Sequence, residues 1–209
     1  MPIGYPKTES GVEIRLLKHL FTPEEAEIAS KLGMIPVKAK KMEKKFDVIY
    51  IGRLNALKNV DDLLKAVSLL KKDISVLIVG AGEELSYLQN LSKELSLNIT
   101  FIGSVSDEKK WDLLHQSKVM VFPSSFEGFG MTPMEALMAG CQVICSDLPI
   151  FKEVYGEKVH YSPLHDNKKL AKLLEQVLVG KKKKKPVSRS FIDKYSWENA
   201  AKTIEEELV

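Results

Sequence analysis

The chain has 209 residues, 44% of them hydrophobic and 28% charged, the make-up of a globular protein with one main domain and enough apolar material for a buried core. No apolar run reaches the 18 or so residues that span a bilayer, and the N-terminus lacks the charged-then-apolar layout of a signal peptide, so a cytoplasmic address is expected. The formal net charge is +3, and five lysines lie in one run, Lys181 to Lys185; a local excess of this kind argues against a nucleic-acid footprint over the whole fold.

Gly11 to Leu20 carries apolar residues at 12, 14, 16, 17 and 20, a helical pattern. Thr22, Pro23 and Glu25 then open a second helix that ends near Gly33, with a cap, a proline at the first turn and an early glutamate. FTPEEAEIASKLGM faintly resembles the first half of a helix-turn-helix, but no recognition helix follows: Met34-Ile-Pro-Val leads into a lysine-rich stretch, Lys38 to Lys45. Residues 1–45 therefore read as a helical segment with a charged linker, and residues 46–209 as the main domain.

From Phe46 onward strands and helices alternate, the signature of a parallel sheet with crossover helices. Strands are expected at 47–51, 75–79, 99–102, 119–122 and 142–146, with a short sixth near 159–161. Helices are expected at 60–70, 84–95, 107–116, 133–139, 167–179 and 197–208. The fold class is a Rossmann-like, doubly wound parallel sheet of about six strands with helices on both faces, and ligands of such sheets bind beyond the carboxyl ends of the strands. Cys141 and Cys145, four apart on one strand, would stand about 13 Å from each other and read as buried thiols. Four scattered histidines offer no metal-ligand spacing, so no metal is expected.

Three strand-end loops stand out. After the first strand, Arg53 and Lys58 put two cations on one tip, suited to a diphosphate, although by themselves they read more simply as surface charges. After the second, Gly80-Ala81-Gly82 is a weak nucleotide signal that serves as well to turn the chain into a helix. After the fourth, Ser124 to Asp147 runs SSFEGFGMTPMEALMAGCQVICSD. Its glycines, Gly128 and Gly130, permit close backbone approach, and the following helix begins at Thr132 or Pro133 with its first amides unpaired, an arrangement that suits an anion. Glu127 and Glu135 bracket that turn as hydrogen-bond acceptors for a sugar or ribose. Thr132, Pro133 and Glu135 also match a capping box, so Glu135 stands between cap and ligand group.

EGFGMTPMEALMAG resembles the E-x7-E segment of retaining glycosyltransferases of the two-lobed GT-B architecture, in the large family called group 1 or family 4. Other stretches agree with it. The loop from Gly52 to Asn59 is similar to the family's G-R-x4-K-G loop, with Asn59 in place of the last glycine, and Phe101 to Val105 is similar to its F-x-G-x-V loop. Ser146 to Val154 and Tyr195-Ser196-Trp197 also match, the last as the start of a closing helix with Ser196 as cap and Trp197 as core anchor. The resemblance covers Phe46 to Leu208, roughly the carboxyl-terminal half of such an enzyme.

That resemblance implies a donor-binding lobe for a nucleotide diphosphate sugar, with no cofactor besides that donor substrate. It implies that Arg53 and Lys58 neutralise the departing diphosphate and that Glu127 contacts the sugar near the reacting carbon. Glu135 would accept from the ribose, and the amides of Met131 and Thr132, on a loop with Gly128, Phe129 and Gly130, would hold the distal phosphate. Gly80, Ile102 and Val105 would line the nucleotide side of the cleft. Developing charge would be met by the two cations and the helix dipole, independently of a metal ion. The acceptor would be a glycan or a lipid-linked sugar. Lys181 to Lys185 read most simply as a solvated loop between helices, with attraction to an anionic membrane surface as the second reading. The acceptor lobe would be supplied in cis or in trans, and this half would be inactive alone. Two other readings compete: a non-catalytic nucleotide-sugar-binding or protein-interaction module, and a DNA-binding regulator.

Overall fold

The structure is a computed structural model that describes residues 43–184, 186–195 and 199. The helices expected in residues 1–33, the helix-turn-helix-like segment, Lys185, Ser196, Trp197 and, apart from Asn199, the expected closing helix lie outside the described residues. By Cα proximity the chain forms two compact units, Ala39–Pro186 and a second made of Met1–Lys38 with Val187–Val209. Of the second, only the short helix Arg189–Asp193 is described, capped by the Ser188 side chain. The sheet belongs to the first.

Six strands, β1 (Phe46–Ile51), β2 (Val76–Val79), β3 (Ile99–Ile102), β4 (Ser117–Phe122), β5 (Gln142–Ser146) and β6 (His160–Ser162), form one sheet in the order β3-β2-β1-β4-β5-β6. Every neighbouring pair is parallel. Such a sheet is covered on both faces, so its central strands carry unbroken apolar runs. Val48, Ile49 and Tyr50 of β1 and Met120 and Val121 of β4 have no exposed surface at all. The doubly wound fold expected from the alternation is the one found.

The helices are α1 (Val60–Ser68), α2 (Leu85–Glu94), α3 (Asp107–His115), α4 (Met131–Met138), α5 (Pro149–Tyr155) and α6 (Asn167–Leu178). α6 buries Leu170, Ala171, Leu174 and Val177, one stripe at helical spacing, and packs on α1, while α3 packs on α4. Ser106 caps α3 as its sequence suggested, its hydroxyl accepting from the Lys109 amide.

Three features depart from the expectations drawn from sequence. β4 begins at Ser117, two residues early, because Ser117 already pairs with Phe46 of β1, and its buried hydroxyl is satisfied by donating to the Leu113 carbonyl at 2.7 Å. α4 begins at Met131, with Gly130 in the left-handed cap position (φ 81°) and no side-chain cap. The capping box is therefore absent: Thr132 and Glu135 both lie inside the helix. Residues 149–155, where no helix was expected, form a helix of their own, whose apolar Phe151, Val154 and Tyr155 are all buried.

Candidate functional site

β1 and β4 are adjacent, and the chain leaves them in opposite directions, β1 toward β2 and β4 toward β5. Their carboxyl ends open the crevice where doubly wound sheets take ligands. The loop after β1 is held from below by Leu54, whose side chain is fully buried. The Leu54 amide donates to the Ala81 carbonyl at 2.9 Å and its carbonyl accepts from the Glu84 amide at 3.0 Å, which ties the first and second strand-end loops together. Gly80 and Gly82 make that approach feasible: a Cβ on Gly80 would stand 1.9 Å from the Gly52 carbonyl oxygen, and one on Gly82 2.1 Å from that of Leu54.

The same loop is joined to the one after β4. The Ser125 amide donates to the Leu57 carbonyl at 2.8 Å, and the Asn59 side-chain amide donates to the Pro123 carbonyl at 3.0 Å. Asn59 adopts a left-handed conformation (φ 46°), which Asn tolerates better than most residues. The substitution at the family's glycine position thus keeps the turn and adds a bond across the crevice.

At the head of α4 the amides of Met131 and Thr132 have no hydrogen-bond partner among the described residues. They carry the partial positive charge of the helix start. α5 braces this turn from behind. The Phe151 ring lies where a Cβ on Gly130 would be, 2.7 Å from its Cε1, and the Tyr155 hydroxyl donates to the Gly130 carbonyl. Phe151 in turn meets Phe122 of β4 edge to face at 6.0 Å. Gly128 is open to solvent, with nothing within 4 Å of an added Cβ, and Phe129 is half-buried.

Lys58 crosses from the β1 loop to the β4 loop, where its ammonium pairs with Glu127 and lies 5.7 Å from the centre of the Phe122 ring. Arg53 leaves the other side of the β1 tip. Its exposed guanidinium stands 3.7 Å from Glu83, on the loop after β2. The two cations therefore flank the tip of β1 and each already faces a carboxylate. Ile102 and Val105, at the end of β3 and in the loop beyond it, are half-buried.

Glu135 sits on the inner face of α4 and is only 6% exposed. Its Oε1 accepts from the Lys110 ammonium of α3 at 2.7 Å, and the same ammonium is 3.0 Å from Asp107. Burial raises the Glu135 carboxyl above its ordinary value, against the pull of Lys110. Burial pulls Lys110 down, but Glu135 and Asp107 outweigh it and hold the ammonium above its ordinary value. Sequence reasoning missed Lys110 and Glu83. The only trace of the first was its position three residues after Asp107, on one face of a short helix. Among the described residues no group of three or more His, Cys, Asp or Glu is placed to hold a metal ion. Cys141 and Cys145 are buried free thiols, and no described helix is long and apolar enough to cross a membrane.

A parallel sheet with a helix start and paired charges at its switch point defines the doubly wound α/β class, whose ligands bind at that crevice. The profile of the family described as glycosyl transferases group 1 matches residues 34–193, and the chain belongs to that family. It is 30% identical over 167 residues to the phosphatidyl-myo-inositol mannosyltransferase of Mycobacterium leprae, an alignment covering 75% of this chain and 44% of that protein. To an uncharacterised glycosyltransferase of Methanocaldococcus jannaschii it is 27% identical, over 74% of this chain and 42% of that one. The chain thus spans less than half the length of these curated relatives. Among solved structures, Anabaena HepE in complex with UDP-glucose superposes with a TM-score of 0.70 at 18% identity, over 90% of this chain and 53% of that one. The catalytic domain of cholesterol-alpha-glucosyltransferase from Helicobacter pylori does so with a TM-score of 0.60 at 23% identity, over 65% and 87%. These likenesses establish the GT-B carboxyl-terminal fold.

Proposed function

We propose that this chain is the donor-binding lobe of a retaining, family 4 glycosyltransferase that takes a nucleotide diphosphate sugar. The observation that carries the reading is the convergence, at the β1/β4 switch point, of the two amides at the start of α4, unpartnered among the described residues, with Lys58 and Glu127. The amides of Met131 and Thr132 receive the distal phosphate, with Gly128 leaving room for it. Arg53 and Lys58 exchange Glu83 and Glu127 for the diphosphate, which frees Glu127 to face the donor sugar. Glu135 accepts from the ribose, and Gly80, Ile102 and Val105 border the base.

In the reaction the bond between the anomeric carbon and the phosphate oxygen breaks. A new bond forms to an acceptor hydroxyl, whose proton leaves with the departing diphosphate. Charge growing on that diphosphate meets two cations and a helix dipole, with no metal ion required. One structural relative holds UDP-glucose, so UDP is tried first, beside GDP and ADP. Transfer requires an acceptor lobe, in cis or in trans.

The test is a calorimetric titration of the chain with UDP, GDP and ADP. Arg53→Ala and Lys58→Ala are each expected to weaken the preferred nucleotide about tenfold or more, the scale of one charge-assisted hydrogen bond. Binding equal to the parent in both variants would rule the diphosphate assignment out.

A further inference from the structure

We propose that Lys110 is a positioning residue: it orients the Glu135 carboxylate for the ribose of a nucleoside diphosphate and ties that carboxylate to the loop that precedes α3. The inference rests on the ribose assignment of Glu135 made above. Its own observations are geometric. The Lys110 ammonium is held between two carboxylates, 2.7 Å from Glu135 Oε1 and 3.0 Å from Asp107 Oδ1. The side chains differ in exposure, 19% for Lys110, 8% for Glu135 and 62% for Asp107. A lysine drawn out of water toward a buried carboxylate, with an exposed one behind it, is fixed in place far more than a surface ion pair.

Only one oxygen of Glu135 is used by this pair. Oε2 has no hydrogen-bond partner among the described residues, and it is not sealed from solvent as a buried unpartnered atom would be. A carboxylate pinned through one oxygen and open at the other is oriented to accept from a ligand hydroxyl. Lys110 also belongs to α3, whose preceding loop holds Val105, while Glu135 belongs to α4, whose start holds the phosphate amides. The ion pair therefore links the two elements assigned to the two ends of the donor nucleotide. Lys110 and Asp107 of α3 are the titratable groups that face Glu135. With Lys110 removed, burial acts unopposed, the carboxyl takes up a proton at higher pH, and the acceptor is lost as pH falls.

The experiment titrates UDP and GDP into the full chain between pH 5.5 and 8.5, for the parent, Lys110→Met, Lys110→Arg and Glu135→Gln. The nucleotide's own ionisation is common to all four and cancels in each ratio to the parent. Lys110→Met is expected to lose about tenfold in affinity relative to the parent at the acid end and to recover much of it at the alkaline end. Lys110→Arg restores the parent profile, and Glu135→Gln is weaker by about tenfold at every pH, the scale of a hydrogen bond to a charged group. If Lys110→Met tracks the parent across the range while Glu135→Gln is weakened, the positioning role is overturned and the ribose assignment survives. If Glu135→Gln binds as the parent does, the ribose assignment falls and takes this inference with it. Thermal melts of each variant at each pH separate loss of binding from loss of fold.

Discussion

Gly80 and Gly82 are required by the backbone opposite them. Each has a carbonyl oxygen where a side chain would begin, at 1.9 Å and 2.1 Å from the ideal Cβ, and Gly80 adds a positive φ of 140°. Gly82→Ala should therefore part the loops after β1 and β2, at a cost of about 2–3 kcal/mol for overpacking against backbone that cannot yield. The expected reading is a Tm lower by about 5–10 °C; an unchanged Tm would mean that the loops separate freely. Arg53, Lys58 and Glu127 were visible as charges in strand-end loops, and Glu135 as one on the first turn of the next helix. The partners of Arg53 and Glu135 were not visible, because Glu83 and Lys110 reach them across distances that exist only once the sheet is assembled. Lys110 and Glu135 are 25 residues apart in the chain.

α5 shows how one element serves another. Phe151 and Tyr155 stand one turn apart, so both point at the Gly130 turn, the first by filling the space behind it and the second by a hydrogen bond to its carbonyl. The start of α4 is positioned by this brace, since no side chain caps it. Phe151→Ala should cost about 3–5 kcal/mol as a large cavity in the core. The amides of residues 135–138, hydrogen-bonded within α4, should then exchange with deuterium faster than in the parent, while those of β1 keep their parent rates. Tyr155→Phe removes a single buried hydrogen bond and should cost about 1 kcal/mol, with the same amides affected and the rest of the sheet unchanged. Exchange rising uniformly over the sheet would contradict a local bracing role. The helical stripe of α5 was present in the sequence, but it is seven residues long, and a pattern of two turns does not separate a helix from a packed loop.

Across the whole domain, the end opposite the site carries a different device. His160 begins the edge strand β6 and is 7% exposed. It lies against Gln142, whose Oε1 is 3.3 Å from its Nε2 and accepts from the Lys184 amide at 2.7 Å. Burial, reinforced by the charges of Lys184 and Lys182, lowers this imidazole to about 4. An unfolded histidine takes up its proton near 6.5, so between those values the unfolded chain binds more protons and stability falls as the pH falls. His160→Gln should abolish on the order of 2 kcal/mol of the loss that the parent suffers over that window, measured by urea unfolding at pH 7 and pH 4.5. Equal losses in parent and variant would show that the imidazole is protonated in the folded state.

The order of apolar runs and helical stripes determined the parallel, doubly wound sheet by itself, because burial on both faces and crossover connections leave few other arrangements for alternating elements. The residue order of the fourth strand's loop and the helix after it was enough to give the family. What the chain alone could not decide is which charge meets which. Glu135 was open between cap and ligand group, and the cap disappears because Gly130, with its left-handed φ, starts the helix one residue before Thr132 becomes eligible. Lys110 then occupies one of its oxygens. Partner choice among charges depends on distances of a few ångströms between elements far apart in the chain, and those distances are set only when α3, α4 and the strands beneath them pack together.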